Sequence, residues 1–298
     1  MIKMSEKKSV NSFYNQEAEY YKNMYQSDYV KNVNEPYPAN FIRLKLIIKR
    51  LKVNKAKSVL DIGCGSCTPM IKLLKLGFKV QGVDFSKNML RFGKIELQKA
   101  GFNPNLIYHA NIEKNSSMKN GKFDTILALG VFPHLKKEKV ALKNMKQRLT
   151  KNGKLFMEFR NDIFSTFSLN KFSLDFFINR LMCFETFPTK IKKELIKYYS
   201  ERLSIKDKIK VETVVDGKIS YEEILAKFHN PLTIEEELFM PNHMKVDKIH
   251  YYHYHSMPPV FEKKYPDVFR QTSLKREKSD DWKGLFLCSA FVVEASKQ

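Results

Sequence analysis

The chain has 298 residues, enough for one large domain or for a core with an embellishment, and 43% of them are hydrophobic. No run of about 18 apolar residues occurs, so we expect no membrane-spanning helix. The amino-terminal sequence is charged and lacks the apolar segment of a secretory signal, which leads us to expect a cytoplasmic protein.

The net charge is strongly positive, at +21. Nine of the 53 basic residues are Arg and the other 44 are Lys, which are spread over the whole length. Because specific recognition of phosphates and bases favours Arg, this composition is typical of a solvated surface rather than of a nucleic-acid interface. We therefore expect a small-molecule partner; the charge also suits an acidic small molecule. The sequence does not predict the oligomeric state.

The first predicted elements are helices that precede the core. Residues 10–30 carry apolar positions at spacings of three and four, which predicts one or two amphipathic helices. Two prolines predict a turn at 35–40, and residues 41–51 form a helix with an apolar face. We assign residues 1–55 to an N-terminal helical cap, in which Tyr21 and Tyr37 either close over a ligand or only pack.

The centre of the predicted fold is a glycine turn. A strand at 58–62 ends in Gly63-Cys64-Gly65-Ser66, and a helix at 70–76 and a strand at 79–83 follow, with Asp84 at the end of the second strand. A glycine turn lets a ligand approach the backbone, and an acid about 20 residues further on can accept both hydroxyls of a ribose. The stretch therefore predicts a nucleoside site.

Two of the four cysteines lie in this turn. Cys64 and Cys67 form a C-x-x-C pair, whereas Cys183 and Cys288 are scattered. Because no second pair follows, we predict neither a zinc site nor redox chemistry, and no disulfide framework.

The middle of the chain alternates strands and helices. Further strands are predicted at 106–110, 124–129 and 154–159, with helices at 86–100 and 136–148. Such alternation predicts a parallel sheet covered on both faces, which binds ligands at the carboxyl ends of its strands. The residues that fall at those ends are Gly63, Gly65, Asp84, Asn111 and Gly130.

The ordered motifs resemble those of class I S-adenosylmethionine (SAM)-dependent methyltransferases, of the small-molecule type that includes the ubiquinone and menaquinone biosynthesis group. DIGCGSC at 61–67 resembles the family's first motif with Cys67 in place of the last glycine. The resemblance continues through VQGVDFSKNML, HANIEK, FDTILALGVFPHL and LTKNGKLFMEF, and covers residues 56–160. It implies a Rossmann-like sheet, mostly parallel with the last strand antiparallel.

The resemblance also implies SAM as the cofactor and S-adenosyl-L-homocysteine as the product. It implies a set of cofactor-binding residues along the strand ends, in which Asn111 stands where the family usually has an acid. The set is Asp61, Gly63, Cys64, Gly65, Asp84, Phe85, Met89, Asn111, Ile112, Leu129 and Gly130.

The rest of the chain departs from the minimal fold. We assign 56–160 to the SAM-binding core and 161–230 to a lid or substrate insertion, with a helix from 190 to 203 and a hairpin around Asp216-Gly217. Residues 231–298 return to the core with a last helix, which a capping box of Thr233 and Glu236 begins. Strands six and seven follow, the last of them from 283 to 294.

Three histidines are candidates for catalysis at an acceptor. His134 follows strand four, as a general base, a substrate hydrogen-bond partner or a structural residue. His253 and His255 lie near the end of strand six. Alternation puts these two residues and Tyr251 on one face of the strand and His250 on the other face. This alternation is a poor geometry for a three-histidine metal site, so we predict no metal.

Four residues are candidates for substrate binding. They are Tyr37, Arg160, Asn161 and His229. Arg160 at the end of strand five either clamps an anionic group of the acceptor or pairs with Glu158 or with an acid of the lid.

The sequence thus favours a SAM-dependent methyltransferase that acts on a hydroxyl of a small polar acceptor, such as a saccharide or a nucleotide-sugar. The alternatives are an N-methyltransferase of an amine or amino acid, an RNA methyltransferase and a non-catalytic SAM-binding protein. Methyl transfer from a sulfonium needs in-line geometry and excluded water, and an alcohol acceptor also benefits from a base such as His.

Overall fold

A computed structural model of the chain describes residues 25, 27–30, 32–182, 184–203 and 226–298. In this part of the chain seven strands form one sheet in the order β3-β2-β1-β4-β5-β7-β6. β1 to β5 pair in parallel, and β7 runs antiparallel to both β5 and β6. This topology confirms the predicted fold class. The strands are β1 Ser58–Ile62, β2 Lys79–Asp84, β3 Ile107–His109, β4 Phe123–Ala128, β5 Leu149–Arg160, β6 Met244–Tyr254 and β7 Cys288–Lys297.

Helices surround the sheet. The α-helices are α1 Ala39–Val53, α2 Thr68–Lys75, α3 Lys87–Lys99, α4 Glu138–Arg148, α5 Ser165–Ser168, α6 Lys171–Asp175, α7 Thr189–Leu203, α8 Val260–Lys264, α9 Pro266–Arg276 and α10 Gly284–Leu287. Two π-helical segments, Phe176–Leu181 and Glu235–Phe239, and several short 3-10 turns join them. None of the described helices is both long enough and apolar enough to cross a membrane.

Alternation along the strands gives the sheet two apolar faces. In β1, Val59 packs in one buried cluster and Leu60 in the other, as the period of two requires. The first cluster is covered by α1, α2 and α3 and the second by α4 and the segment Glu235–Phe239. Both faces are therefore buried, which leaves the ends of the strands as the accessible edges.

The boundaries differ from the prediction in three places. β5 begins at Leu149 rather than at 154, because an extra register shift lets Leu149 pair with Phe123. The last strand was predicted from 283, but residues 284–287 form α10, in which Gly284 packs against Tyr251 and Tyr254. Thr233 donates its hydroxyl proton to Glu237 instead of forming the predicted capping box with Glu236.

The insertion after β5 holds α5, α6 and α7, and it rejoins the sheet through a bridge between Asn161 and His229. The predicted helix at 190–203 is present as α7. The hairpin around Asp216-Gly217, Tyr21, Cys183 and most of the helical stretch at 10–30 lie outside the described residues. The division into cap, core, insertion and return stays a prediction.

Candidate functional site

The turn after β1 brings bare backbone to the carboxyl edge of the sheet. Gly63 and Gly65 have φ angles of 73° and 52°, in the left-handed region that side chains disfavour. The amide of Gly63 donates to the carbonyl of Val83 over 2.8 Å, which ties the turn to β2. A Cβ atom on Gly63 would lie 2.5 Å from Cγ2 of Val131, in the loop after β4. Glycine is therefore required where these two loops meet.

Asp84, at the end of β2, is held by this turn. Its Oδ2 accepts a hydrogen bond from the amide of Gly65 over 2.9 Å, and its Oδ1 accepts one from the amide of Ser86 over 2.7 Å. Burial raises the pKa of Asp84, and the hydrogen bonds from Ser86 and Gly65 oppose that shift. The carboxylate is thus fixed beside the glycine turn with further lone pairs for a ligand.

The two cysteines of the turn serve packing. A Cβ atom on Gly82 would lie 2.9 Å from Sγ of Cys64, and one on Gly93 would lie 2.7 Å from Sγ of Cys67. The missing side chains on β2 and α3 therefore make room for the two thiols. The hydrogen bond with Cys67 and burial raise the pKa of Cys64 well above its ordinary value, so its thiol is protonated and unreactive.

Cys67 also has a left-handed backbone, with φ 65°. It occupies the place of the third glycine in the family motif, and the conformation explains why glycine is usual there. Within the described ranges, no group of three or more His, Cys, Asp or Glu side chains is arranged to hold a metal ion.

The remaining predicted cofactor residues divide into those beside the turn and those in the core. Met89 places its Cε 3.1 Å from where a Cβ of Gly65 would stand, and its amide is capped by the Ser86 hydroxyl. Phe85 is 55% exposed, 6.0 Å from the ring of His109. Asn111 uses Oδ1 to accept from the amide of Glu113, and Ile112 is buried in the core. Leu129 is partly buried.

An ion pair lies at the carboxyl ends of β4 and β5. Glu158 of β5 accepts hydrogen bonds from the guanidinium of Arg43 on α1 and from the hydroxyl of Tyr252 on β6. Arg43 also donates to the hydroxyl of Tyr25 over 2.9 Å. A Cβ atom on Gly130 would stand 3.8 Å from Oε2 of Glu158, so the pair adjoins the loop that meets the glycine turn.

Asp61 lies between this ion pair and Asp84. Burial raises its pKa to about 7, the charge of Asp84 adds to the shift, and Arg43 opposes it. The carboxyl ends of β1, β2, β4 and β5 thus bring three acids and three left-handed glycines to one edge, where α1 adds one buried cation.

Arg43 was missed by sequence reasoning, although it is the ion-pair partner of Glu158. Pairing with Glu158 was one of the alternatives for Arg160, whose guanidinium instead lies 5.6 Å from the ring centre of Phe228 in the insertion. The available signal was the position of Arg43 four residues before Ile47, which places an Arg within the apolar stripe of α1.

The end of β6 carries a cluster of aromatic and imidazole rings. The ring of Tyr37 stacks on His253 at 5.1 Å with an interplanar angle of 13°. The rings of His253 and His255 are 4.6 Å apart. Burial and the charge of Arg43 lower the pKa of His253 to about 4, and burial lowers that of His255 further below its ordinary value. Both imidazoles are therefore neutral at pH 7.

Strict alternation along β6 was the wrong basis for placing His253. Its backbone is left-handed, with φ 61°, which breaks the period of two at the end of the strand. His253 consequently stacks on Tyr37, whereas Tyr251 packs against Phe291. His250 is bound to Glu294 over 2.9 Å.

Among the predicted substrate residues, Asn161 is committed to the protein itself, and His229 is committed through one of its two ring nitrogens. The side-chain nitrogen Nδ2 of Asn161 donates to the carbonyls of Leu285 and Cys288, and Oδ1 of the same side chain accepts from the amide of Ile163. No polar group of this 1%-exposed side chain is left for a substrate, so that prediction is corrected. Nε2 of His229 is 2.9 Å from Oε1 of Glu138, which gives that side chain a structural partner too.

Tyr37 and His134 keep positions near the strand ends. The hydroxyl of Tyr37 donates to Glu277 over 2.8 Å while its ring covers His253. His134 ends a 3-10 turn directly after Val131, the residue that contacts Gly63. Two surface cavities of about 370 and 440 Å³ lie elsewhere, beside Asp124 and Lys154 and beside Glu138 and His229.

Comparison with known proteins agrees with this geometry. Residues 60–155 match a family model described as a methyltransferase domain. The chain is similar to the ubiquinone biosynthesis O-methyltransferase of Rickettsia prowazekii, with 30% identity over 119 residues, 38% of this chain and 46% of the relative. It is also similar to the enzyme of that name from Coxiella burnetii, with 28% identity over 142 residues, 48% of this chain and 59% of the relative. The chain spans about half the length of these relatives.

Solved structures share the fold. A magnesium protoporphyrin IX methyltransferase from Synechocystis, crystallised with bound S-adenosyl-L-homocysteine, gives a TM-score of 0.53 at 13% identity, over 97% of this chain and 98% of that one. A SAM-dependent methyltransferase from Clostridium acetobutylicum gives 0.50 at 11% identity, over 85% and 90%. The fold is that of class I SAM-dependent methyltransferases. Residues 60–155 of this chain are the part that matches a methyltransferase domain.

Proposed function

We propose that this enzyme transfers a methyl group from SAM to a small polar acceptor, at a hydroxyl group. The observation that carries the proposal is the Asp84 carboxylate, which the amides of Gly65 and Ser86 hold at the end of β2. A fixed carboxylate beside a glycine turn is suited to the two hydroxyls of a ribose. The hydroxyl preference is supported by the relatives, which are O-methyltransferases by name.

The residues at the strand ends fit the cofactor. Gly63 and Gly65 leave the backbone bare, Asp84 would bind the ribose, and Phe85, Met89 and Asn111 would flank the base. When bound, SAM supplies a methyl group on a sulfonium, which is displaced in line and needs no protonation of the leaving group.

Arg43 is the cation best placed for the amino-acid end of the cofactor. Its guanidinium is buried, and Nε has no hydrogen-bond partner among the described residues. A buried N–H without a partner is costly, so a carboxylate on a ligand would satisfy it. Glu158 and Tyr252 hold the guanidinium at the edge next to Gly130.

The acceptor would lie between this edge and the insertion. His253, His255 and Tyr37 line that region, with Arg160 nearby at the end of β5. Rings and neutral imidazoles exclude water and orient a polar acceptor, which is the main requirement of an in-line displacement. His134 remains a second candidate for contact with the acceptor.

Calorimetry with the purified chain tests the proposal. We expect binding of both SAM and S-adenosyl-L-homocysteine, and an absence of binding to both would remove the cofactor assignment. Incubation with methyl-labelled SAM and fractionated small metabolites of the source cell should then give a labelled product that loses its methyl group only under conditions that cleave ethers or esters. A label that behaves as a methylamine would overturn the hydroxyl assignment.

A further inference from the structure

One serine connects the two imidazoles at the end of β6. Oγ of Ser289 on β7 is 2.8 Å from Nδ1 of His253 and 3.2 Å from Nε2 of His255. A hydroxyl has only one proton, so it donates to one imidazole and must accept from the other. Since both imidazoles are neutral, each has a single N–H, and the hydrogen bonds can run in only two directions.

The two directions give different tautomers. If His255 donates to Ser289 and Ser289 donates to His253, both rings carry their proton on Nε2. If both hydrogen bonds run the other way, both rings carry their proton on Nδ1. The proton on Nε2 is the intrinsically more stable arrangement of a neutral histidine side chain, and here it is favoured in both rings at once.

The surroundings of His255 favour the same direction. Its Nδ1 is buried and has no hydrogen-bond partner in the described part of the chain. The ring packs against Phe164 at 4.7 Å and Phe269 at 5.6 Å, which provide no oxygen to accept a proton. Buried N–H groups are left unpaired less often than lone pairs, so a bare lone pair on Nδ1 is the less costly state.

We propose that the hydroxyl of Ser289 holds His253 as the tautomer protonated on Nε2, which makes His253 a hydrogen-bond donor to an oxygen atom of the acceptor. Nε2 has no hydrogen-bond partner among the described residues, while the ring is fixed by Tyr37 on one side and by Ser289 at Nδ1. Ser289 is thus a positioning residue. The role toward the acceptor rests on the proposed function, but the tautomer does not.

The inference also restricts the chemistry of the acceptor. The positive charge of Arg43 acts on the same imidazole, so this region favours an electron-rich group. An acceptor that presents a carboxylate, a carbonyl or an ionised hydroxyl to Nε2 of His253 suits it. His253 in this state positions such an oxygen and does not take up a proton from it.

The tautomer is measurable without any ligand. Nitrogen NMR of protein labelled with ¹⁵N in its seven histidine rings distinguishes protonated from bare ring nitrogens. The signals of His253 and His255 are assigned by their loss in His253→Gln and His255→Gln. We expect both rings to show a protonated Nε2 and a bare Nδ1 at pH 7. A protonated Nδ1 on His253 overturns the proposal.

A pair of serine variants isolates the role of Ser289. Ser289→Ala removes the hydroxyl and should shift the ring nitrogens of His253 toward a mixture of both tautomers. The matched control is Ser296→Ala on the same strand, whose hydroxyl donates to Asp247 instead, and it should leave His253 unchanged. An unaltered His253 spectrum in folded Ser289→Ala means that Ser289 does not set the tautomer.

Turnover of the labelled acceptor tests the donor role. His253→Gln keeps a side-chain N–H and should retain a rate within about tenfold of wild type, whereas His253→Ala should lose on the order of a hundredfold. Equal losses in both variants would show that His253 is not a donor. Absence of SAM binding would instead count against the proposed function and leave the NMR result standing.

Discussion

Glu158 and Arg43 form an ion pair between β5 and α1, across 115 positions of sequence. Both side chains are largely buried, Tyr252 donates to Glu158, and Tyr25 accepts from Arg43. The pair fastens α1 to the edge of the sheet where we propose the nucleoside site. The two charged residues and their two tyrosine partners come from four separate segments of the chain. The ion pair therefore forms only when these segments have come together.

Arg43→Ala should be strongly destabilising. Removal of one member of a buried pair leaves Glu158 as an uncompensated charge, which costs about 3–5 kcal/mol of unfolding free energy. Urea denaturation measures the loss, and the double variant Arg43→Ala/Glu158→Gln should recover part of it. If the double variant is no more stable than the single one, the two charges are not coupled.

Asp84→Ala should weaken the free energy of SAM binding by about 1.5–3 kcal/mol, which corresponds to a dissociation constant roughly ten to a hundred times higher. The reason is the loss of charged hydrogen bonds to the ribose. The matched control is Asp267→Ala, an exposed acid in the first turn of α9. Calorimetry that finds equal affinities in the two variants would refute the ribose assignment.

Cys67→Gly should be more stable than Cys67→Ala. Glycine relieves the left-handed strain at this position, about 1 kcal/mol, which offsets the lost packing of the thiol against Gly93. Alanine loses the same packing and keeps the strain. Thermal unfolding of the two variants checks the order, and a more stable Cys67→Ala would contradict the strain argument.

The ionisation of Glu294 should make the free energy of unfolding depend on pH in the acid range. Burial would raise its pKa, but hydrogen bonds from His250, Arg50 and Asn54 lower it to about 2 in the folded chain, from an ordinary value of 4.5. Because the folded pKa is the lower one, the stabilisation is complete above pH 4.5 and is lost as the pH falls towards 2, with a size on the order of 2 kcal/mol. Glu294→Gln should therefore be less stable than wild type at pH 6, and the gap should narrow in acid. A constant gap would exclude this linkage.

In contrast to the ionisation of Glu294, that of Asp61 should lower the free energy of unfolding as the pH rises. Its pKa is raised by burial and by Asp84 to about 7, so ionisation of this group opposes folding as the pH rises from 3.8 through 7. Asp61→Asn should match wild type near pH 3 and exceed its stability at pH 8. Paired urea curves at the two pH values test this, and a variant that is less stable at pH 8 would show that the carboxylate is needed for packing.

The local part of the site was readable from the sequence. Glycines at 63 and 65 and the acid at 84 lie within about 20 residues, and short-range rules for turns and strand ends predict their convergence. The parallel core of the sheet was predictable because strands and helices alternate with clear periodicity, and the antiparallel last strand was implied by the family resemblance.

The region proposed for the acceptor was harder to predict from the sequence, because its contacts join segments that are far apart in the chain. Nothing in the sequence pairs Arg43 with Glu158, or Ser289 with two histidines 34 and 36 positions away. The left-handed backbone of His253 has only a weak local signal, because histidine adopts this conformation more often than most residues but far less readily than glycine. Tertiary packing decides such conformations.

The bond between Tyr37 and Glu277 spans 240 positions, and Arg50 and Asn54 reach equally far to Glu294. Arg270 likewise donates to the carbonyls of Asn32 and Glu35. During synthesis on the ribosome, residues 32–54 therefore emerge long before the partners that hold them. The central strands can pair first, and α1 can complete these contacts only when the last strand arrives.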